Sequence, residues 1–416
     1  MSGRHFQAHR ARSAVPGRKR RGAGIVLAMV GVIAASLALR TGLGSASHGP
    51  GSPSSDPFEP SALPTPVAAA LPPTAPLVSP DPGTPAPRAP DPTAAPSPIH
   101  DASRFPGGLL IADRGNGRLI VVTAQGRITW SFPVAGSLPR GQRFAADDAF
   151  IAPDGRTIVA NDEAHQVIDR IDIATRHVIW QYGHYDRPGA RPGFLSTPDD
   201  AYPLANGNVV VADIRNCRIL EIAPSKRIVR HWGRTGVCVH DPPRTFALPN
   251  GDTPLPDGGL LITEIRGSHV VRLGPDGRVR FDIRVPARYP SDAQLEPDGS
   301  VLVVDYSKPG AILRVSQRGA LLWRYAFAKG SRALDRPSLA VPLTDGTIAL
   351  NDDFRARVLV IDPRTNRIVW QYGHTDRAGR TGGRLNIPDG IDVAPVGVFP
   401  TSGRAAGRTR RPGVIG

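Results

Sequence analysis

The sequence predicts an all-β fold, a six-bladed β-propeller of four-stranded antiparallel blades. Three observations predict it: a unit of about 40 to 52 residues recurs, one aromatic position marks every unit, and a strand missing from the first unit reappears near the C-terminus. The clearest unit is residues 197–232, where turn signals such as Asn206-Gly207 separate four β-rich runs. One such meander cannot bury both of its faces, so neighbouring units must pack against each other.

One aromatic position and one polar position recur in every unit. The aromatic residue ends the fourth predicted strand, and an acidic or amide residue ends the second. The aromatic positions are Trp130, Trp180, Trp232, Phe281, Trp323 and Trp370. The polar positions are Asp113, Asn161, Asp213, Glu264, Asp305 and Asp352. Because the fourth strand is the outermost strand of a blade, we expect the aromatic rings to pack between neighbouring blades, away from the channel.

The innermost strand of each unit carries an aspartate ahead of an Asp-Gly or Asn-Gly turn. Leu339 replaces the aspartate in the last unit, and the first unit has no such strand. Residues 388–395, which follow the last tryptophan, supply the missing copy with Gly390 in place of the acid. We therefore predict that a C-terminal strand completes the first blade, which closes the ring without a free sheet edge. The four aspartates are Asp148, Asp200, Asp252 and Asp292.

The chain divides into five predicted parts. Residues 1–21 are a basic segment, 22–39 an uncharged apolar run, 40–104 a proline-rich disordered linker, 105–396 the propeller, and 397–416 a disordered basic tail. The apolar run is just long enough to span a bilayer as a helix, and its basic cluster lies on its N-terminal side.

This arrangement predicts a single-pass signal anchor in the cell membrane, with residues 1–21 in the cytoplasm and the propeller outside it. The alternative is a cleaved signal peptide, for which residues 45–47 offer small side chains at a cleavage site. The formal net charge of +15 is concentrated at the two ends of the chain, which leaves the propeller near +6. So modest an excess excludes a nucleic-acid partner.

The only two cysteines, Cys217 and Cys238, both fall in the third unit. In an exported protein, two cysteines this close in sequence predict a disulfide. Their spacing, even with His231 and His240 nearby, matches no common zinc motif, so no metal site is predicted from them.

Two stretches carry a family resemblance: LLIADRGNGRLI (residues 109–120) and VVVADIRNCRIL (residues 209–220). Both resemble the core of the NHL repeat, and the W-Q-Y-G blade ends at 180–183 and 370–373 look like those of quinoprotein-like, arylsulfotransferase-type propellers. The pattern is also similar to uncharacterised exported propellers of high-G+C bacteria. The resemblance covers residues 107–395 and implies the fold. Because such propellers include lyases, sulfotransferases and binding scaffolds, it implies no single activity.

The inner-strand aspartates are the first candidate site, because innermost strands crowd around the channel. Asp148, Asp200, Asp252 and Asp292 would form a partial acidic ring, and hard oxygen ligands suit Ca²⁺. The alternative is that each aspartate accepts backbone N–H groups in the turn before its strand.

Two kinds of loop supply the other candidates. Residues 180–187 and 370–377 are near-identical, and each contains a histidine, His184 or His374, that could act as a base or could simply help to turn the same corner twice. The least repeat-like loop, residues 235–250, contains His240 and Arg244, which could face the channel mouth.

Two functions of different class remain open from the sequence. The first is a membrane-tethered binding or scaffold module that presents its channel face to an extracytoplasmic protein, glycan or small ligand. The second is a propeller enzyme of lyase or transferase type that uses histidines and aspartates at the channel. The sequence contains no complete catalytic motif, which favours the first.

Overall fold

The computed structural model describes residues 104–399, which form an all-β structure of six four-stranded antiparallel sheets. The predicted cytoplasmic segment, membrane anchor and linker, up to residue 103, lie outside the described residues, as does the tail from residue 400. Within residues 104–399, the helices are too short to cross a bilayer.

The strands follow one another from the inside to the outside of each blade. Blade 1 contains β1 (Leu109–Asp113), β2 (Arg118–Val122) and β3 (Ile128–Phe132). Blade 2 contains β4 (Ala149–Ile151), β5 (Thr157–Asp162), β6 (Val167–Asp172) and β7 (His177–Gly183). Blade 3 contains β8 (Pro198–Pro203), β9 (Val209–Asp213), β10 (Arg218–Ile222) and β11 (Ile228–Trp232). Blade 4 contains β12 (Pro249–Pro254), β13 (Leu260–Glu264), β14 (His269–Leu273) and β15 (Val279–Arg284). Blade 5 contains β16 (Pro290–Leu295), β17 (Val301–Asp305), β18 (Ala311–Val315) and β19 (Leu321–Ala326). Blade 6 contains β20 (Ala340–Pro342), β21 (Ile348–Asp352), β22 (Arg357–Asp362) and β23 (Arg367–Gly373). Short 3₁₀ helices follow β1, β9 and β21, at Arg114–Asn116, Ile214–Asn216 and Asp353–Arg355.

The last strand, β24 (Pro388–Val393), completes blade 1. It pairs antiparallel with β1, so that Leu109 lies opposite Val393 and Ile111 opposite Ile391. The six innermost strands β4, β8, β12, β16, β20 and β24 contact one another in cyclic order. The predicted six-bladed propeller with four-stranded blades is therefore confirmed, including its closure by a C-terminal strand.

The hydrophobic core lies between the blades. The described residues form six apolar clusters, each lying mainly between two neighbouring sheets. In β1, Leu109 and Ile111 face blade 6, whereas Leu110 and Ala112 face blade 2. Because the second strand of each blade is buried on both faces, its sequence is a nearly continuous run of apolar residues.

Four of the fourth-strand tryptophans form a hydrogen bond to the next blade. Trp130, Trp180 and Trp370 donate from Nε1 to the carbonyl oxygens of Ile173, Pro224 and Ala124, at 3.0, 2.9 and 2.7 Å. Trp323 donates to Asn366 Oδ1 at 3.0 Å. Every acceptor lies in the turn between the third and fourth strands of the following blade. The indole therefore combines apolar burial with a hydrogen bond across the blade interface.

The acidic residue that ends the second strand anchors the loop entering its blade. Asp113 and Asp213 each accept a backbone N–H from that loop, from Asn386 at 2.8 Å and Ser196 at 2.7 Å. In blade 2 this residue is Asp162, which accepts the Ala145 N–H at 2.9 Å.

The sequence-based choice of Asn161 for this position is therefore one residue too early. Strand register shows the shift, because Asp162 pairs with Val167 just as Asp113 pairs with Arg118. Asn161 instead points toward the inner strand of blade 3, where its amide nitrogen lies 3.4 Å from Asp199 Oδ1.

Candidate functional site

The inner strands bring together a cluster of buried aspartates, which we name the channel acid cluster. All of its members have at most 8% of their surface exposed. Carboxylate oxygens of Asp147, Asp148 and Asp199 lie within 4.8 Å of one another. The cluster consists of Asp147, Asp148, Asp199, Asp200, Asp252, Asp292 and Asp389.

The four predicted members, Asp148, Asp200, Asp252 and Asp292, thus lie in one cluster with three acids that immediately precede a predicted position. The absence of an acid at position 390 has a steric cause. A Cβ on Gly390 would lie 2.6 Å from the Cα of Asp148, so the last inner strand approaches too closely for any side chain there.

One arginine balances part of the cluster. Arg114, at the start of the first 3₁₀ helix, forms ion pairs with Asp147, with Asp389 at 2.7 Å and with Glu163 at 3.0 Å. Burial opposes ionisation of Asp389, but Arg114, together with hydrogen bonds to Asp147 and Asp353, outweighs burial and holds the pKa of this carboxyl below its usual value.

The remaining carboxyls are in the opposite situation. Burial, reinforced by neighbouring carboxylates, raises the pKa of Asp148, Asp200 and Asp252 well above the usual range for a carboxyl. Burial raises the pKa of Asp292 to about 7, although Gln294 and Thr253 donate hydrogen bonds to it. These groups would resist ionisation at neutral pH unless a positive charge joined them.

Several oxygen atoms of the cluster have no partner. Within residues 104–399, Oδ2 of Asp200 and both carboxylate oxygens of Asp252 are buried without a hydrogen bond of normal geometry, and only the backbone N–H of Ala212 approaches the Asp252 carboxyl. The backbone of Asp200 is also in the left-handed region, with φ 47°. A buried, unpartnered polar group costs about 1–3 kcal/mol, and more if it is charged, so these oxygens suit a ligand that supplies positive charge. An all-oxygen donor set fits Ca²⁺.

The other predicted site residues do not join this cluster. His184 follows the outermost strand of blade 2, and its ring stacks on Phe194 with centroids 3.9 Å apart. His374 follows the outermost strand of blade 6, with Nε2 3.0 Å from the carbonyl oxygen of Gly382. Each histidine therefore braces the long loop in which it lies.

Arg244 and His240 lie on the loop between blades 3 and 4. The Arg244 side chain is exposed and pairs with Asp241, with Nε 2.8 Å from Oδ2. His240 lies against Glu264 and Asp282 of blade 4. The structure thus brings together the four predicted aspartates but neither these two residues nor the twin-loop histidines.

No family model matches the sequence, and no curated protein matches it. A protein of unknown function from Bacteroides caccae is 16% identical over 68% of this chain and 97% of its own, with a TM-score of 0.48. A chain of a nidogen/laminin complex is 15% identical over 69% of this chain and 98% of its own, with a TM-score of 0.47. A catalytically inactive virginiamycin B lyase from Staphylococcus aureus, solved with quinupristin, is 17% identical over 54% and 68%, with a TM-score of 0.40. At TM-scores below 0.5, none of these likenesses bears on activity.

The two cysteines form a disulfide that fixes the loop carrying His240. Cys217 and Cys238 are 21 residues apart in sequence, with their Cα atoms 5.2 Å apart. Cys217 is fully buried between the 3₁₀ helix and β10. The loop after β11 is therefore tied to the body of blade 3 two residues before His240.

Sequence reasoning missed two kinds of residue near these sites. Arg114 gives no repeat signal, because the equivalent residues at the start of the other 3₁₀ helices are Ile214 and Asp353. His269 does give a repeat signal, because it occupies the position where Arg118 and Arg218 begin the third strand in blades 1 and 3. An alignment of the units by strand register would have found that difference.

Proposed function

We propose that the protein is a membrane-tethered, extracytoplasmic binding module whose channel holds Ca²⁺ and presents its channel face to a protein, glycan or small ligand. The observation that carries the proposal is the set of buried, unpartnered carboxylate oxygens on Asp200 and Asp252 within the channel acid cluster. The location and the tether rest on the basic and apolar segments at the N-terminal end of the sequence.

Charge balance supports a bound cation. The channel acid cluster contains seven carboxyls, and the ion pairs of Arg114 reach only Asp147 and Asp389 among them. The remaining carboxyls must be relieved either by protons or by a cation. A divalent ion would replace protons held by groups such as Asp292, and extracellular Ca²⁺ modules commonly bind in the range of about 10⁻⁴–10⁻³ M.

Binding is better supported than catalysis. A lyase or transferase of the kind considered above would need a histidine near the aspartates, yet His184 and His374 lie beyond outermost strands. His240 contacts blade 4 at Glu264 and Asp282 instead.

The first prediction concerns pH and Ca²⁺. Groups with raised pKa bind more protons in the folded state, so cation-free protein should lose stability as pH rises from about 4 through about 7, the value to which the pKa of Asp292 is raised. At pH 7.5, excess Ca²⁺ should restore stability, by about 2.7 kcal/mol when its concentration is 100 times the dissociation constant. Thermal melts of full-length protein in detergent, with EGTA or with Ca²⁺, measure both effects.

Two variants locate the cation. Asp252→Asn removes the carboxylate whose two oxygens lack partners, so it should stabilise the cation-free protein at pH 7.5 and reduce the response to Ca²⁺. Asp276→Asn changes an exposed aspartate that pairs with Arg280 and should leave the response intact. An equal Ca²⁺ response in the Asp252→Asn protein would rule out Ca²⁺ binding at the channel acid cluster. Absence of any response in the unmodified protein would rule out Ca²⁺ binding altogether.

The second prediction concerns the tether. Native protein should remain in the membrane fraction after a high-salt wash, with its N-terminus at or near Met1, because residues 22–39 carry no charge. Cell fractionation followed by N-terminal sequencing tests it. A soluble form beginning near residue 48 would show a cleaved signal and remove the anchor from the proposal.

A further inference from the structure

A second group of ligand-type side chains lies on blade 4, outside the channel acid cluster. We name it the blade 4 histidine cluster; it comprises His240, Glu264, His269 and Asp282. His240 Nδ1 lies 2.6 Å from Glu264 Oε2, and its Nε2 lies 2.9 Å from Asp282 Oδ2. His269 Nδ1 lies 2.8 Å from the other oxygen of Asp282. The two imidazole rings are 3.8 Å apart between centroids.

Blade 4 departs from the repeat at this point. In blades 1, 3 and 6, the acid that ends the second strand pairs with an arginine that starts the third, with Nε to Oδ2 distances of 2.6 to 2.7 Å. The pairs are Asp113 with Arg118, Asp213 with Arg218 and Asp352 with Arg357. Blade 4 keeps the register but pairs Glu264 with His269. Where blades 1, 3 and 6 have a guanidinium, which carries only donor groups, blade 4 has an imidazole, which can bind a metal.

The hydrogen bonds of His240 leave room for a cation. Both of its ring nitrogens face carboxylate oxygens, but a neutral imidazole carries only one N–H. Glu264 is fully buried, so the N–H is best placed on Nδ1, where it donates to this carboxylate. The lone pair on Nε2 then points toward Asp282. Without a metal, only a protonated imidazole can donate to both carboxylates; a metal ion beside Asp282 would take the place of the second proton and be bound by Nε2 and Asp282 together.

The ligand atoms are close enough for a single ion. His240, His269 and Asp282 each offer one atom, and these atoms all lie within 4.8 Å of one another. The arrangement in which a buried carboxylate accepts the second N–H of a ligating histidine is the usual support for metal-bound histidines. The Cys217–Cys238 disulfide, two residues before His240, fixes the loop that delivers this ligand.

We propose that His240 Nε2, His269 Nδ1 and the Asp282 carboxylate bind a transition-metal ion of the Zn²⁺ class on blade 4, with Glu264 orienting His240. Two imidazoles and one carboxylate suit Zn²⁺ better than Ca²⁺, which takes oxygen ligands. The Asp282 side chain is 30% exposed, so the remaining coordination position faces solvent and can take water or an anionic group of a ligand. This ion would tie the loop between blades 3 and 4 to the outer half of blade 4.

Metal titration of the full-length protein in detergent, after removal of bound metal by a chelator, tests the site. Calorimetry should show one Zn²⁺ bound per chain, and Co²⁺ should give the visible absorption bands of a four- or five-coordinate ion with nitrogen ligands. Glu264→Gln should weaken binding by about 10- to 100-fold, because the carboxylate that orients His240 is lost. His177→Ala changes an exposed histidine at the start of β7 and should leave the affinity unchanged.

The sharpest variant is His269→Arg, because it installs the residue that blades 1, 3 and 6 already contain. The new arginine can pair with Glu264, so the fold should be retained while saturable Zn²⁺ and Co²⁺ binding is lost. If circular dichroism shows that this variant is misfolded, Asp282→Asn replaces it. Absence of stoichiometric Zn²⁺ binding in the unmodified protein, or unchanged affinity in a folded His269→Arg or Asp282→Asn protein, would overturn the proposal. Asp252→Asn should bind Zn²⁺ normally, which separates this site from the channel.

Discussion

A chain that stops at Ile387, and therefore lacks β24, is expected to lose the cooperative unfolding of the propeller. Strand β24 is the innermost strand of blade 1 and pairs along the whole of β1. Its removal would expose the edge of β1, whose five residues are all buried, and would take the fully buried Ile391 from the cluster between blades 6 and 1. It would also deprive Arg114 of Asp389. We expect a loss comparable with the about 5–15 kcal/mol that stabilises a whole domain.

The matched control is a chain that ends at Phe399, which removes only residues beyond the described propeller. Thermal unfolding followed by circular dichroism, together with limited proteolysis, compares the two chains. The control should melt cooperatively at the temperature of the full-length protein, and the shorter chain should be protease-sensitive and prone to association through its open edge. Equal melting temperatures would mean that ring closure by β24 contributes little to stability.

The fold could be predicted because the sequence contains six copies of each strand of the blade. An ambiguous strand in one unit is resolved by its counterparts, and the strand missing from the first unit pointed directly to residues 388–395. The error at Asn161 shows the limit of this reasoning. Blades 2 and 6 both end the second strand with Asn-Asp, and only the pairing of Asp162 with Val167 shows which residue occupies the end of the strand.

The channel acid cluster could be predicted only in part. Asp148 and Asp200 repeat at one position of the unit, so a pattern reveals them. Arg114 belongs to a 3₁₀ helix of blade 1, and its contacts with Asp147 and Asp389 join residues 33 and 275 positions away in sequence. No period in the sequence links these segments, so three-dimensional proximity alone reveals the pairing.

The histidines illustrate the opposite problem, because the repeated stretches in the sequence pointed to histidines that lie away from the channel acid cluster. The twin loops of His184 and His374 both follow an outermost strand, and each histidine contacts its own loop instead of the channel acid cluster. The more informative histidine was the departure from the repeat, His269, whose neighbours His240 and Asp282 come from two other segments. A residue that departs from the repeat while the strand register is kept does not form the contact that its counterparts form in the other blades.

Trp370→Ala is expected to lower the free energy of unfolding by about 3–5 kcal/mol, the usual cost of truncating a buried tryptophan. The Trp370 side chain is 3% exposed, donates to the carbonyl oxygen of Ala124 at 2.7 Å and packs edge-on against Phe105 with centroids 5.2 Å apart. Its loss would open a cavity between blades 6 and 1, the same interface that β24 closes. Trp370→Phe keeps an aromatic ring but loses the N–H, so it should cost less, about 1–3 kcal/mol.

Trp232 provides the matched comparison, because it occupies the same position of the repeat in blade 3 but is only half-buried, with the guanidinium of Arg230 4.5 Å from its ring centroid. Trp232→Ala should therefore cost less than Trp370→Ala, about 1–2 kcal/mol by the area removed from contact. Denaturant unfolding of the full-length proteins in detergent measures the order, and the Ca²⁺ response is measured well below each melting temperature. Because both rings lie on outermost strands, neither variant should change that response. Loss of the Ca²⁺ response in Trp370→Ala with stability retained would mean that the fourth strand acts on the channel. The outer edge of each blade could then not be assigned to packing alone, nor Ca²⁺ binding to the inner edge alone.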